Sequence, residues 1–192
     1  MTNTLHRRGT REELEHDYVL KCSLAEGHQA GSAEKKKAFL EIVRRHGPVA
    51  VRLPDGRTRE VYECVFDNAA AVSAALAELK RADLGLSVIV SGLIDEVGRC
   101  CREAGLDLHT VEHSLGIMGR RDLLPAADIL DIGSLCGHGM VSHRLIAKMV
   151  EMVKTRRLSA RAAAAYLAKP CTCGVLNPNR VEEILERLRV RG

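Results

Sequence analysis

The chain has 192 residues, of which 46% are hydrophobic and 28% are charged, and it carries a net charge of +4. This composition is typical of a globular protein that can bury a core without disulfide bonds. Aromatic residues are scarce, with no tryptophan, three tyrosines and two phenylalanines. Their scarcity argues against a nucleic-acid partner recognised by base stacking.

No apolar run approaches the roughly 20 residues that a membrane span requires, and the polar N-terminus lacks the apolar segment of a secretory signal. We therefore expect a cytoplasmic protein without a membrane partner. A reducing compartment keeps thiols reduced. The seven cysteines are then expected to be ligands, reactive thiols or buried apolar residues rather than disulfides.

The first part of the chain predicts alternating strands and helices. The alternation favours an α/β or α+β layered unit with at least partly parallel strands, and the nearly continuous apolar run at 86–91 predicts a strand buried on both faces. Pro54-Asp55-Gly56-Arg57 is expected to form a turn. The predicted strands are 18–22, 49–53, 59–66, 86–91 and 109–117, and the predicted helices are 32–46, 69–81 and 93–104.

Capping residues indicate where several helices begin. Thr10 followed by Glu13 resembles a capped helix start, and Asn68 and Ser159 are good N-caps. Asn177-Pro178 pairs an N-cap with a first-turn proline.

After about residue 118 the pattern becomes helical. We expect helices over about 126–133, 139–155, 159–168 and 178–190, and no strand. The sequence therefore predicts an α/β subdomain over residues 1–120 and an all-helical subdomain over residues 121–192 that carries the functional site.

Two glycine-containing loops in the helical part carry three cysteines. Cys136 is followed by Gly137, His138 and Gly139, and Cys171-Thr172-Cys173 is followed by Gly174. Each loop precedes a predicted helix, and the two helices between the loops can fold back to bring the cysteines together. Glycine lets backbone N–H groups approach a ligand closely. We therefore predict that the glycines help to hold a cofactor, and that Cys136, Cys171 and Cys173 ligate it.

Soft thiolate ligation favours a [4Fe–4S] cluster, with zinc as the alternative. The spacing matches neither the ferredoxin cysteine runs nor the usual spacing of structural zinc sites. Three cysteines leave the fourth position open or filled by His138 or Cys22. The simpler alternative is that all three cysteines are buried small hydrophobic residues.

Candidate catalytic groups follow from their position and chemistry. His138 lies nearest the predicted centre and is the first candidate for a proton carrier. His109 shares one face of a predicted strand with His113, which suits an acid/base pair or a solvent-facing strand edge. Arg120 or Arg121 could hold an anionic group.

The sequence thus favours an iron–sulfur protein whose exposed iron acts as a Lewis acid, in lyase or hydratase fashion, on a small anionic substrate. The alternative is a non-enzymatic cluster- or zinc-binding accessory or sensor protein. A homo-oligomer is an option that the sequence leaves open.

Overall fold

The computed structural model describes residues 7–24, 31–51 and 62–191. The chain forms two compact units. The sheet unit comprises residues 15–111, and the helical unit combines the segment that ends at Leu14 with the chain from Glu112 onward. The predicted subdomain boundary near residue 120 rests on a change in composition and stays a prediction.

Strands and helices alternate through the sheet unit, and helices follow in the helical unit. In chain order the elements of the described residues are α1 (Arg11–Leu14), β1 (Tyr18–Ser23), α2 (Ser32–Arg45), β2 (Ala50–Val51), β3 (Glu63–Phe66), α3 (Ala69–Ala82), β4 (Ser87–Ser91), α4 (Ile94–Glu103), a 3₁₀ turn (Arg121–Leu123), α5 (Ala127–Ser134), α6 (His143–Lys154), α7 (Ala160–Ala168) and α8 (Pro178–Arg191). The expectation of a sheet-and-helix N-terminal part followed by a helical C-terminal part is confirmed. The turn predicted at Pro54–Arg57 lies outside the described residues.

The sheet has the strand order β2-β3-β1-β4, and all three described pairings are antiparallel. The prediction of partly parallel pairing is therefore wrong for these strands. A helical connection makes β3 and β4 run in the same direction, but β1 lies between them and is antiparallel to both. This is the split βαβ arrangement of a ferredoxin-like fold, a topology that by itself implies no function.

The core of the sheet unit lies between the sheet and its helices. Alternate residues of β1 (Tyr18 and Leu20) and β3 (Cys64 and Phe66) join one buried cluster with apolar residues of the helices, because successive strand residues point to opposite faces. The helical members of that cluster include Phe39 and Val43 of α2, Val72 and Leu76 of α3, and Val97 of α4. α3 begins where predicted, with the side chain of Asn68 accepting a hydrogen bond from the Ala71 N–H at 2.8 Å.

Two strand predictions need correction. β4 is not buried on both faces: it lies at an edge of the sheet, its residues alternate in exposure, and Ile89 remains 41% exposed. Residues 109–117 form no strand and are exposed throughout. Alternating polarity made this segment resemble a strand, but a strand also needs a neighbour for its backbone hydrogen bonds, and none of the described strands pairs with it.

The helical unit packs α7 against α8 and α6 against α5, α7 and α8. Small residues on α7, including Ala160, Ala163 and Ala164, are fully buried and allow neighbouring helices to approach closely. Ser142 and Ser159 cap α6 and α7 through their side-chain oxygens. Among the described residues, no helix combines the length and apolar character needed to cross a membrane.

The N-terminal segment is anchored to α8 by charged residues. Glu13 forms ion pairs with Arg180 and Arg187, and Arg180 also donates a hydrogen bond to the Arg8 carbonyl. Arg180 is only 1% exposed. A Cβ atom added to Gly9 would lie 2.0 Å from the Arg180 guanidinium, so this contact requires glycine. The buried charges therefore connect the first described residues to the last helix.

Candidate metal centre

The structure brings together the three cysteines predicted as ligands. The Sγ atoms of Cys171 and Cys173 are 3.8 Å apart, and the thiol of Cys136 is hydrogen-bonded to Cys171. The Nδ1 atom of His138 lies 3.4 Å from the Cys173 sulfur. The three cysteines are buried, whereas His138 is exposed. The four side chains therefore form a continuous cluster, which we call the cysteine–histidine cluster.

The packing of the helical unit places these residues at the ends of helices. Cys136 follows α5, and its N–H donates to the Gly133 carbonyl at 3.3 Å. α6 and α7 then fold back, and Cys171 follows α7 with its N–H bonded to the Ala168 carbonyl at 3.1 Å. α6 begins at His143 rather than near residue 139 as predicted. His138 lies in the loop before it, where the sequence places it.

The predicted glycines shape the two loops. Gly137 follows Cys136 with a φ of 71°, and Gly174 follows Cys173 with a φ of 74°. Both angles lie in the left-handed region that glycine adopts without steric cost. Gly139 has a φ of 68°. These turns let the chain reverse immediately after each cysteine, and the Gly174 N–H donates back to the Cys171 carbonyl at 3.1 Å.

Backbone N–H groups are directed at two of the sulfurs. Hydrogen bonds from the backbone of His138 and Met140 lower the pKa of Cys136, and one from Leu176 lowers the pKa of Cys171. The pKa of Cys136 is nevertheless raised above its usual range, first because its thiol donates to Cys171 and second because it is buried. That hydrogen bond lowers the pKa of Cys171, but the contact with Cys173 and burial raise it overall. N–H groups of this kind are typical of the surroundings of metal-bound thiolates.

Two separations within the cluster are close to those between ligands of one tetrahedral ion. Two sulfurs bound to one zinc at about 2.3 Å are about 3.8 Å apart, and a zinc-bound sulfur and imidazole nitrogen are about 3.5 Å apart. The observed distances are 3.8 Å and 3.4 Å. In the described part of the chain, no group of three or more His, Cys, Asp or Glu side chains is arranged so that it could hold a metal ion. The side chains instead contact one another in pairs, Cys136 with Cys171, Cys171 with Cys173, and Cys173 with His138.

The other predicted site residues lie elsewhere. His109 is exposed in the sheet unit, and its Nδ1 atom lies 2.8 Å from the Thr110 hydroxyl. Arg120 is 74% exposed and pairs with Asp122, so its charge is already matched by a carboxylate. Cys22, the other candidate for a fourth ligand, lies on β1 of the sheet unit, and burial raises its pKa to about 11.

Sequence reasoning missed one residue that supports the cluster. The guanidinium of Arg7 donates to the Leu135 carbonyl at 3.2 Å and also to the Val175 carbonyl. Leu135 directly precedes Cys136, and Val175 lies two residues after Cys173. Arg7 therefore ties the two cysteine loops together. No spacing signal could have identified it, since it lies more than a hundred residues away along the chain.

Comparison with models of protein families, with curated proteins and with solved structures found no match to this chain.

Proposed function

We propose that the helical unit binds a single metal ion, best suited to zinc, through Cys136, His138, Cys171 and Cys173. The observation that carries this proposal is the pair of separations within the cysteine–histidine cluster, 3.8 Å between two sulfurs and 3.4 Å between sulfur and imidazole nitrogen. Thiolate and imidazole ligands in tetrahedral geometry suit zinc. Four protein ligands complete the coordination of the ion, which is the pattern of structural rather than catalytic zinc sites.

This proposal favours a non-enzymatic role as a zinc-stabilised accessory or sensor module. Zinc bound to four ligands would link the loops after α5 and α7, and metal binding that links separate segments contributes directly to the free energy of folding. Loss of the ion would therefore loosen the helical unit. Such coupling between metal occupancy and structure is what a sensor requires.

A [4Fe–4S] cluster on the same three cysteines is the second candidate, with lyase or hydratase chemistry at an open iron. The observation that favours it is the exposure of His138. Because His138 is the only member of the cysteine–histidine cluster that is not a cysteine, the position not bound by a thiolate would lie next to solvent, as an open iron site requires. Against it, the cysteines of such a cluster bind different irons, so their sulfurs stand further apart than two ligands of one ion. The small anionic substrate, the cytoplasmic location and a homo-oligomer are further proposals from the sequence.

Metal analysis of protein purified without air tests both candidates. The first predicts one zinc per chain and no acid-labile sulfide, and the second predicts iron, sulfide and broad visible absorption. Cys171→Ser should abolish metal retention, whereas Cys101→Ser, a buried cysteine of the sheet unit, should retain it. Wild-type protein that binds neither metal after reconstitution would contradict both candidates.

Replacement of zinc by cobalt(II) tests the ligand set. Wild-type protein should give intense tetrahedral cobalt bands with sulfur-to-metal charge transfer. His138→Ala should keep the charge-transfer bands, because the three thiolates remain, but should change the ligand-field bands. Unchanged spectra for His138→Ala would remove the histidine from the proposed ligands.

A further inference from the structure

A second feature of the helical unit, beside the cysteine–histidine cluster, is a cleft of about 490 Å³. Its volume lies within the range of small-molecule pockets, about 300–1,000 Å³. Three arginines line it, Arg7, Arg8 and Arg121, and none of the described lining residues is a carboxylate. The cleft is therefore of a size and charge to receive a small anion.

The three arginines differ in how they are held. Arg7 is fixed by the carbonyls of Leu135 and Val175, and Arg8 lies 3.3 Å from a carboxylate oxygen of Asp131. Arg121 is exposed on the 3₁₀ turn and forms no ion pair with any carboxylate in the described part of the chain. Its neighbour Arg120 pairs with Asp122 and does not line the cleft. Arg121 is thus the arginine whose charge is available to a ligand.

The remaining wall is largely apolar and continues into a second groove. Leu124, Pro125 and Leu130 line the cleft. Leu130 also lines an adjoining groove of about 250 Å³ that extends to Gly139 and His143. An occupant can therefore place a charged head beside Arg121 and an extended apolar body against these residues.

We propose that this cleft binds a small organic anion with a carboxylate or phosphate head and a linear apolar body. Arg121 holds the head by charge-assisted hydrogen bonds, and burial of the body against Leu124 and Leu130 supplies the rest of the affinity. The proposal does not depend on which metal the cysteine–histidine cluster binds.

Calorimetric titration of the full chain with octanoate, octyl phosphate, inorganic phosphate and neutral octanamide tests the proposal. At least one of the two octyl anions should bind several-fold more tightly than octanamide, up to about fivefold, because an ion pair with an exposed arginine contributes up to about 1 kcal/mol. Inorganic phosphate, which lacks an apolar body, should bind more weakly than octyl phosphate. The tighter of the two octyl anions identifies the head group.

Adjacent arginines provide a matched pair of variants. Arg121→Gln should weaken binding of the preferred anion up to about fivefold, because Arg121 is exposed, while Arg120→Gln should change it less than about twofold because its charge is already paired with Asp122. Both positions are exposed, so the two variants should unfold at the midpoint of the wild type. Equal effects of the two substitutions, octanamide binding as tightly as the octyl anions, or no binding of either anion would overturn the proposal.

Discussion

Replacing Glu13 by glutamine tests the buried charges that join the N-terminal segment to α8. Glu13 is 14% exposed in its side chain and its partner Arg180 only 1%, so the substitution leaves a buried guanidinium without its carboxylate. Breaking a buried ion pair costs about 3–5 kcal/mol. We expect a value near about 3 kcal/mol, because Arg180 keeps its hydrogen bond to the Arg8 carbonyl. For a unit of this size that change lowers the Tm by about 12–24 °C.

Urea unfolding followed by circular dichroism measures the decrease in the free energy of unfolding. Hydrogen exchange of peptides from α8 shows whether the helical unit is the part that is destabilised. Glu186→Gln is the matched control. Glu186 pairs with Arg189 at 2.7 Å, but both side chains are more than a third exposed, so its loss should cost less than about 1 kcal/mol. If the two substitutions cost the same, the reasoning from burial is wrong.

Three further predictions concern individual residues. If the proposed metal is bound, hydrogen peroxide should release it by oxidising Cys171 and Cys173, whose sulfurs are 3.8 Å apart, to a disulfide. The two thiolates give two electrons to the peroxide, which takes up two protons and leaves as two water molecules. Mass spectrometry should then find one peptide that has lost two thiol hydrogens, and metal release without this disulfide would contradict the prediction. Burial raises the pKa of Cys64 from 9.0 to about 12. Between these two pH values the folded protein keeps the thiol proton, whereas the unfolded chain has released it. The stabilisation that is present below about pH 9 is therefore lost as the pH rises toward about 12. Urea midpoints should fall less steeply with alkaline pH in Cys64→Ala than in the wild type. Asn68→Ala should cost about 1 kcal/mol by removing the cap of α3, whereas Asn68→Ser, which keeps a capping oxygen, should restore most of the urea midpoint.

The sequence predicted the helices well because their signals are local. Asn68, Ser159 and Pro178 mark helix starts through their own side chains and backbone restrictions, and the structure places α3, α7 and α8 accordingly. Strand pairing was less predictable, because it depends on which strand lies between two others. The apolar run of β4 gave no indication that the strand lies at an edge.

Part of the candidate site could also be predicted, since glycine-flanked cysteines at two helix ends are visible in the sequence. That Cys136, His138, Cys171 and Cys173 meet depends on the fold of α6 and α7, and their separations could come only from the structure. The role of Arg7 is a backbone contact between distant segments, for which single sequences carry no signal.

The division of the helical unit between the start and the end of the chain has a consequence for its biosynthesis. The ribosome releases the segment with Glu13 long before it makes α8, and the whole sheet unit emerges in between. The sheet unit therefore has all of its residues first and can fold during translation, while the helical unit must wait until α8 has been made. Nascent chains stalled before Pro178 should accordingly resist protease in the sheet unit and remain cleavable within α5 to α7.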